Sequence, residues 1–228
     1  MQITPLGDSA LVVRVVDDFS RDPDGSLDAV LRVLGTLEGA ALPGVIALAP
    51  AYSTVAVFYD AALSPFDLMK TRIEKALEVP NTGLRKERAA RTVEIPVCYD
   101  AEFGLDLEQV SAHVKLPVED LIERHASASY RVACVGFIAG FPFLSGLPSE
   151  LAIPRRVSPR KEVPAGSVAI GGVQTGVYPR KSPGGWNIIG RTPVCLFDIS
   201  RDPPAIFHAG DRVRFRKISR EEFNTFGA

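Results

Sequence analysis

One stretch limits most what this chain can fold into. Between Gly136 and Pro193 lie ten of its nineteen glycines and eight of its eighteen prolines. Proline removes a backbone donor and glycine raises the entropic cost of order, so neither belongs in the interior of a long helix. No apolar positions recur there at helical spacing. What remains are short apolar segments between turns: Tyr130 to Ile138, Ser167 to Ile170, Pro193 to Phe197 and, beyond the stretch, Arg212 to Ile218. Many short strands punctuated by Gly and Pro predict a β-barrel or sandwich.

The first ninety residues have a different grammar. Ala10 to Val16 is apolar and β-branched and reads as a strand. Leu27, Val30, Leu31, Leu34 and Leu37 recur at helical spacing, with Ser26 as the expected N-cap, and Gly39 and Pro43-Gly44 end the pattern. Val45 to Ala49 and Thr54 to Tyr59 read as two strands. Ser64-Pro65 opens a second helix whose apolar face is Phe66, Met69, Ile73 and Leu77. With a further strand at Val93 to Val97, this order predicts a split β-α-β sandwich. The polar stretch from Pro80 to Arg91, with Arg85, Lys86, Arg88 and Arg91, reads as a linker. Two short helices follow, Asp106 to Val114 and Val118 to His125. The fold class expected is therefore α+β: a small α/β sandwich domain over residues 1–86, then a β-rich domain over residues 87–228.

Charge and cysteine content narrow the function classes. The 228 residues carry 26 basic and 27 acidic side chains, a net of −1, which argues against a broad nucleic-acid surface. The three cysteines, Cys98, Cys134 and Cys195, are odd in number and widely spaced, which suggests neither a disulfide framework nor a zinc site. The apolar run Val45 to Ala51 is far shorter than the roughly 18–20 residues that span a bilayer. The first residues lack the basic-then-apolar order of a signal peptide. A soluble cytoplasmic protein with no membrane and no nucleic-acid partner is expected.

No Gly-x-Ser-x-Gly, P-loop, His-Glu-x-x-His or dinucleotide glycine motif occurs. Chemistry is instead flagged by local charge. Residues 151 to 192 hold Arg155, Arg156, Arg160, Lys161, Arg180, Lys181 and Arg191 against Glu162 alone, a net of +6 that leaves −7 for the rest. Prolines 154 and 159 stiffen the backbone beside three of these arginines, which suits bidentate recognition of carboxylate or phosphate. The alternative is a solvated loop paired with acidic surface elsewhere. Gly184-Gly185-Trp186 holds the only tryptophan, either as a pocket wall or interface anchor or as a turn beside a core ring. Gln174, Thr175 and Tyr178 bring amide, hydroxyl and phenol groups suited to orienting a small polar ligand. His125 ends an acidic helix, where an imidazolium gains from the helix dipole; the other reading is a general base. His113 and His208 read as structural or exposed.

The glycine-rich block carries a resemblance. Gly136-Phe137-Ile138-Ala139-Gly140-Phe141-Pro142-Phe143-Leu144-Ser145-Gly146-Leu147 is followed by Pro154-Arg155-Arg156 and Pro159-Arg160. Val163-Pro164-Ala165-Gly166-Ser167-Val168, Gln174-Thr175-Gly176-Val177-Tyr178-Pro179, Ser182-Pro183-Gly184-Gly185-Trp186 and Ile189-Gly190-Arg191-Thr192-Pro193 complete the run. Together with Gly7-Asp8-Ser9-Ala10, Pro50-Ala51-Tyr52, Ile95-Pro96-Val97-Cys98-Tyr99-Asp100 and Phe103-Gly104-Leu105-Asp106-Leu107, it closely resembles the allophanate hydrolase subunit 1 family across nearly the whole chain. Two positions depart from the family pattern: Ala139 stands where Pro is usual, and Phe143 where Tyr is usual.

The resemblance implies a small α/β domain followed by a cyclophilin-like β-barrel domain. It implies the role of the B subunit in an ATP-dependent 5-oxoprolinase, which opens 5-oxo-L-proline to L-glutamate. Its partners would be a larger cyclophilin-like C subunit and, as the third member, the A subunit, with ATP used by the complex. The alternatives within the family are a histidine-kinase inhibitor of the sporulation type and a component of an allophanate or urea-carboxylase pathway. On this reading Arg155, Arg160 and Arg191 would hold anionic groups and His125 would assist proton transfer. Gln174, Thr175 and Tyr178 would orient the small amide substrate, beside Gly184, Gly185 and Trp186; no metal is implied.

Overall fold

A computed structural model describes residues 1–78 and 91–226. The chain separates into two compact units, Met1–Ala90 and Arg91–Ala228. The expected linker over residues 80 to 91, and with it the 86/87 boundary, falls outside the described residues except for Arg91.

The first unit contains β1 (Gln2–Pro5), β2 (Ala10–Arg14), α1 (Pro23–Ala40), β3 (Val45–Ala51), β4 (Thr54–Tyr59) and α2 (Phe66–Glu78). Its strands pair antiparallel in the order β1-β2-β4-β3. Alternation explains the layer: Leu11, Val13, Val55, Val57 and Tyr59 point to one face and bury against Val30 and Leu37 of α1 and Met69 and Ile73 of α2. The N-cap of α1 is Asp22 rather than Ser26. The Asp22 carboxylate accepts from the Gly25 amide at 2.9 Å with Pro23 next in line, and Ser26 is buried inside the first turn. Strand β1 is an addition to the expected elements.

The second unit opens with β5 (Thr92–Val97), α3 (Leu107–Val114) and α4 (Val118–Ser127). Then come β6 (Tyr130–Val135), β7 (Pro142–Ser145), a short 3-10 turn, β8 (Arg160–Val163), β9 (Ser167–Gly171), β10 (Gln174–Val177), β11 (Ser182–Gly184), β12 (Asn187–Arg191), β13 (Arg212–Lys217) and α5 (Arg220–Thr225). The strand expected at Val93 to Val97 thus lies here, as β5, and pairs parallel with β13. The remaining pairings in this unit are antiparallel, running β13-β6-β7-β10-β9-β12, with β8 and β11 as a separate ribbon. The result is a mixed α/β fold with a mostly antiparallel sheet, on which α4 packs against β13 and α3 against β12. Ile95, Val132, Leu144, Val168, Ile170, Val177, Ile189 and Val213 form its core with Leu121 and Val110 from the helices.

One expectation needs correction. Pro193 to Phe197 is no strand: Pro193 has no amide to give a ladder, the Val194 amide donates to Thr192 Oγ1 at 3.2 Å, and only Phe197 makes a bridge, to Ala205. Among the described residues no ladder closes the sheet into a barrel. A single bridge joins Cys98, the residue after β5, to Arg191 at the end of β12, by two amide-to-carbonyl bonds of 2.8 and 2.9 Å.

No helix among the described residues is long and apolar enough to cross a membrane.

Candidate functional site: an arginine pair pinned by a buried carboxylate

The basic stretch folds as a strap from Pro154 to Arg160 on the surface of the second unit. Its backbone is fixed at both shoulders: the Arg156 amide donates to the Gly185 carbonyl at 2.8 Å, and Asn187 Nδ2 donates to the Pro154 carbonyl at 3.0 Å. Its side chains are fixed by Asp106, whose carboxylate is 2% exposed. Asp106 Oδ1 accepts from Arg156 Nη1 at 2.7 Å and Arg160 Nη2 at 2.8 Å. Oδ2 accepts from Arg160 Nη1 at 2.7 Å and the Ile188 amide at 2.7 Å. Arg160 therefore grips the carboxylate with both prongs of its fork, the geometry that makes such pairs strong. Two guanidinium charges meet one carboxylate, so the cluster keeps an excess of one positive charge.

Arg155 lies beside this pair. Its guanidinium sits 5.7 Å from the centroid of the Trp186 ring, a cation-π distance. Trp186 is buried, edge-on to Phe141 and Phe143, and its indole lies where Gly171 has no side chain: a methyl there would come within 2.6 Å of it. Tyr178 stacks edge-on against Phe141. Its ring fills the space left by Gly184, where an added methyl would overlap Oη and come within 2.8 Å of the ring carbons. Burial pushes the Tyr178 phenol up, while a backbone bond from Trp186 and the charges of Arg155 and Arg160 pull the other way. Gly185 supplies the carbonyl that holds the strap. The structure thus gathers Arg155, Arg160, Tyr178, Gly184, Gly185 and Trp186 into one neighbourhood.

The other expected site residues lie elsewhere. His125 is fully buried. Its Nδ1 is 2.9 Å from the Tyr99 hydroxyl and its Nε2 is 3.0 Å from Thr175 Oγ1. The Thr175 hydroxyl gives its single proton to the Ala169 carbonyl at 3.0 Å, so it must accept from His125 Nε2–H, and Nδ1 must accept from Tyr99. The Tyr130 hydroxyl caps the His125 carbonyl at 2.7 Å, and the imidazole stacks on Phe215 at 4.7 Å between centroids. Desolvation lowers the His125 pKa to about 3. This is a neutral histidine with both nitrogens occupied, neither the imidazolium expected at a helix end nor a base open to substrate. Thr175, equally buried, belongs to the same network. Gln174 is half-buried at the start of β10, opposite Gly171. Arg191 donates through Nε to the Ala165 carbonyl at 2.8 Å and lies 5.9 Å from the Phe103 ring, which Arg220 faces at 5.5 Å. It shares no partner with Arg155 or Arg160.

Sequence reasoning misses Asp106 and undervalues Arg156. The sequence reading makes Asp106 merely the first residue of a short helix; in the structure it stands at the N-cap position, yet its side chain makes no cap bond. Only the excess of arginine in the strap, without nearby acid, hints that a distant carboxylate is needed.

A family model described as the carboxyltransferase domain, subdomain C and D, matches residues 1–207. The chain belongs to that family. Within it, the B subunit of 5-oxoprolinase from Bacillus subtilis is 40% identical over 235 residues, covering 99% of this chain and 96% of that protein. The protein of the same name in Escherichia coli O157:H7 is 42% identical over 174 residues, 76% of this chain and 78% of its own length. Among solved structures, the urea amidolyase of Kluyveromyces lactis matches 98% of this chain with a TM-score of 0.76 at 18% identity. That likeness concerns the carboxyltransferase fold alone, and this chain spans 15% of that much longer protein.

Proposed function

We propose that this chain is the B subunit of an ATP-dependent 5-oxoprolinase that opens 5-oxo-L-proline to L-glutamate. The observation that carries the reading is the likeness to named B subunits along almost the full length of both chains. The pinned strap is chemically suited to it. The substrate of such an enzyme is a small lactam bearing a carboxylate. Arg155, Arg156 and Arg160 offer guanidinium donors to an anionic group, on a strap backed by the largely buried rings of Trp186, over Gly171, and Tyr178, over Gly184. His125, Thr175 and Arg191 support the fold around it rather than touching substrate.

The activity belongs to a complex with a larger cyclophilin-like C subunit and, as the third member, the A subunit. ATP is the co-substrate of the whole assembly. We read residues 1–86 and 87–228 as separate domains, the second a cyclophilin-like barrel. The Cys98–Arg191 bridge supports that reading: among the described residues, it is the one place where the two ends of the sheet in the second unit exchange hydrogen bonds.

The test is reconstitution of the three subunits, followed by measurement of 5-oxoproline-dependent ATP hydrolysis. The rate should drop to background when this chain is omitted. An unchanged rate without it, or stimulation by urea in place of 5-oxoproline, would overturn the proposal.

A further inference from the structure

The Asp106 carboxylate is saturated. Two oxygens accept four bonds, from Arg156, twice from Arg160 and from the Ile188 amide, so no lone pair is left for a ligand. Asp106 cannot act on a substrate directly. Nor does it serve its own helix, whose first turn it leaves uncapped. The second buried carboxylate of this unit, Asp211, differs. It accepts from Arg91 Nε at 3.0 Å and from its neighbour the His208 amide at 2.8 Å, a local knot with a single guanidinium. Of these two carboxylates, only Asp106 holds two guanidiniums.

What Asp106 does is fix two guanidinium groups in one orientation and leave them unsatisfied. Arg160 uses one N–H from each Nη; its Nε–H and two outer N–H groups make no bond among the described residues. Arg156 uses one N–H of Nη1, and its buried Nε has no partner among the described residues. The side chains are 26% and 22% exposed, so solvent or a ligand reaches them while their stems are held. One carboxylate against two guanidiniums leaves one positive charge, and Arg155 over Trp186 adds a second on the same strap. A pair of forks already held in orientation lowers the ordering cost of binding a planar oxyanion.

We infer that Asp106 is a positioning residue that holds Arg156 and Arg160 as a preset receptor for an oxyanion, completed by Arg155. The inference rests on the reading of the strap as the substrate-facing site. The oxyanion is a carboxylate or a phosphoryl group: the carboxylate of 5-oxoproline, or a phosphoryl group donated by ATP.

The experiment uses the assembled complex with Asp106→Asn, which keeps shape and removes the charge. Arg160→Lys, which keeps charge and loses the fork, is the second variant in case the first does not fold. For each, the KM for 5-oxoproline, the KM for ATP and kcat are measured. Binding of 5-oxoproline, of pyrrolidin-2-one (the same ring without carboxylate) and of inorganic phosphate is measured by calorimetry. A rise of about tenfold in the 5-oxoproline KM, with kcat within about threefold and pyrrolidin-2-one binding unchanged, identifies the substrate carboxylate as ligand. The same rise confined to ATP and phosphate identifies the phosphoryl group. Either supports the inference. If the variants assemble and lose thermal stability but leave both KM values and all three affinities unchanged, Asp106 is structural only and the inference fails. Should the wild-type complex show no 5-oxoproline-dependent turnover, the functional reading fails separately. Calorimetry then decides the positioning role alone, and loss of phosphate or 5-oxoproline affinity in Asp106→Asn is the outcome that sustains it.

Discussion

The second unit contains two polar constellations built by opposite rules. Around His125, four polar groups are sunk in the core and their donors meet acceptors: Tyr99 to Nδ1, Nε2 to Thr175, Thr175 to Ala169, Tyr130 to the His125 carbonyl. No formal charge is present. Around Asp106, two partly exposed guanidiniums converge on one buried carboxylate, and donors outnumber acceptors. A closed neutral network costs little in a core and rewards one packing arrangement. A charged cluster with donors to spare gains its last bonds only from outside. The contrast separates residues that make the fold specific from residues available to a ligand, although both sets draw on the same block of sequence.

The sharpest way to break this comparison is through pH. His125 is held neutral, with its pKa lowered from 6.5 to about 3 by burial. The unfolded chain binds a proton on this residue near pH 6.5 while the folded chain does not. Stability from this site is therefore complete above pH 6.5 and is lost as pH falls toward 3, on the order of 5 kcal/mol over the whole window. Replacing His125 by Leu strands the Tyr99 hydroxyl and should cost about 2–4 kcal/mol at pH 7.5, but it removes the titration. Urea midpoints at pH 7.5, 5.5 and 4.5 should fall more steeply for the wild type than for His125→Leu. Parallel pH dependences would mean that the imidazole is not the buried neutral group described here.

Regular periodicity is readable in the sequence, and long-range pairing is not. The strand Thr54–Tyr59 and the helices ending at Val114 and near His125 show their apolar faces locally, so propensity and pattern suffice. Strands β7, β10 and β12 are held by partners across the sheet and β8 and β11 by each other, and several contain residues that local rules read as turns: Pro142, Gly176, Pro183, Gly184 and Gly190. For the site, the arginines and Trp186 are visible because charge and a lone indole are properties of single residues. Asp106 is not, since its partners Arg156, Arg160 and Ile188 lie 50, 54 and 82 positions away. His125 misleads for the same reason. Its place at a helix end suggests a dipole contact, and only Tyr99 and Thr175, 26 and 50 positions distant, make it a core residue.

The aromatic backing of the proposed site can be tested next. At Gly184 a methyl group overlaps Tyr178 Oη and meets the ring carbons at 2.8 Å. Gly184→Ala should cost about 1–3 kcal/mol through overpacking, and adding Tyr178→Phe should recover part of the loss in a thermal melt. A cost with no recovery would place the strain on the backbone instead of the ring. Arg155→Ala is expected to be gentler. An exposed cation over an indole contributes about 0.5–1 kcal/mol, so melting should barely shift while Trp186 emission responds and the affinity of the complex for its anionic substrate falls. A large loss of stability with unaltered affinity would move Arg155 to the side of His125, among the residues that only build the fold.

The smallest effect expected is at Phe143. The ring is half-buried on β7, 4.8 Å from Phe141 and 5.8 Å from Trp186 between centroids. If the aromatic cluster is the wall of an open site, a hydroxyl added at this rim reaches solvent or ligand and loses little hydration. Phe143→Tyr should then change stability by no more than about 0.5 kcal/mol, as surface substitutions do, while the KM for 5-oxoproline shifts because a new donor faces the ring. If the cluster is closed core, the buried hydroxyl lacks a partner and the cost rises to about 1–3 kcal/mol. The same single oxygen atom therefore reports, by the size of its penalty, on which side of the comparison the aromatic cluster falls.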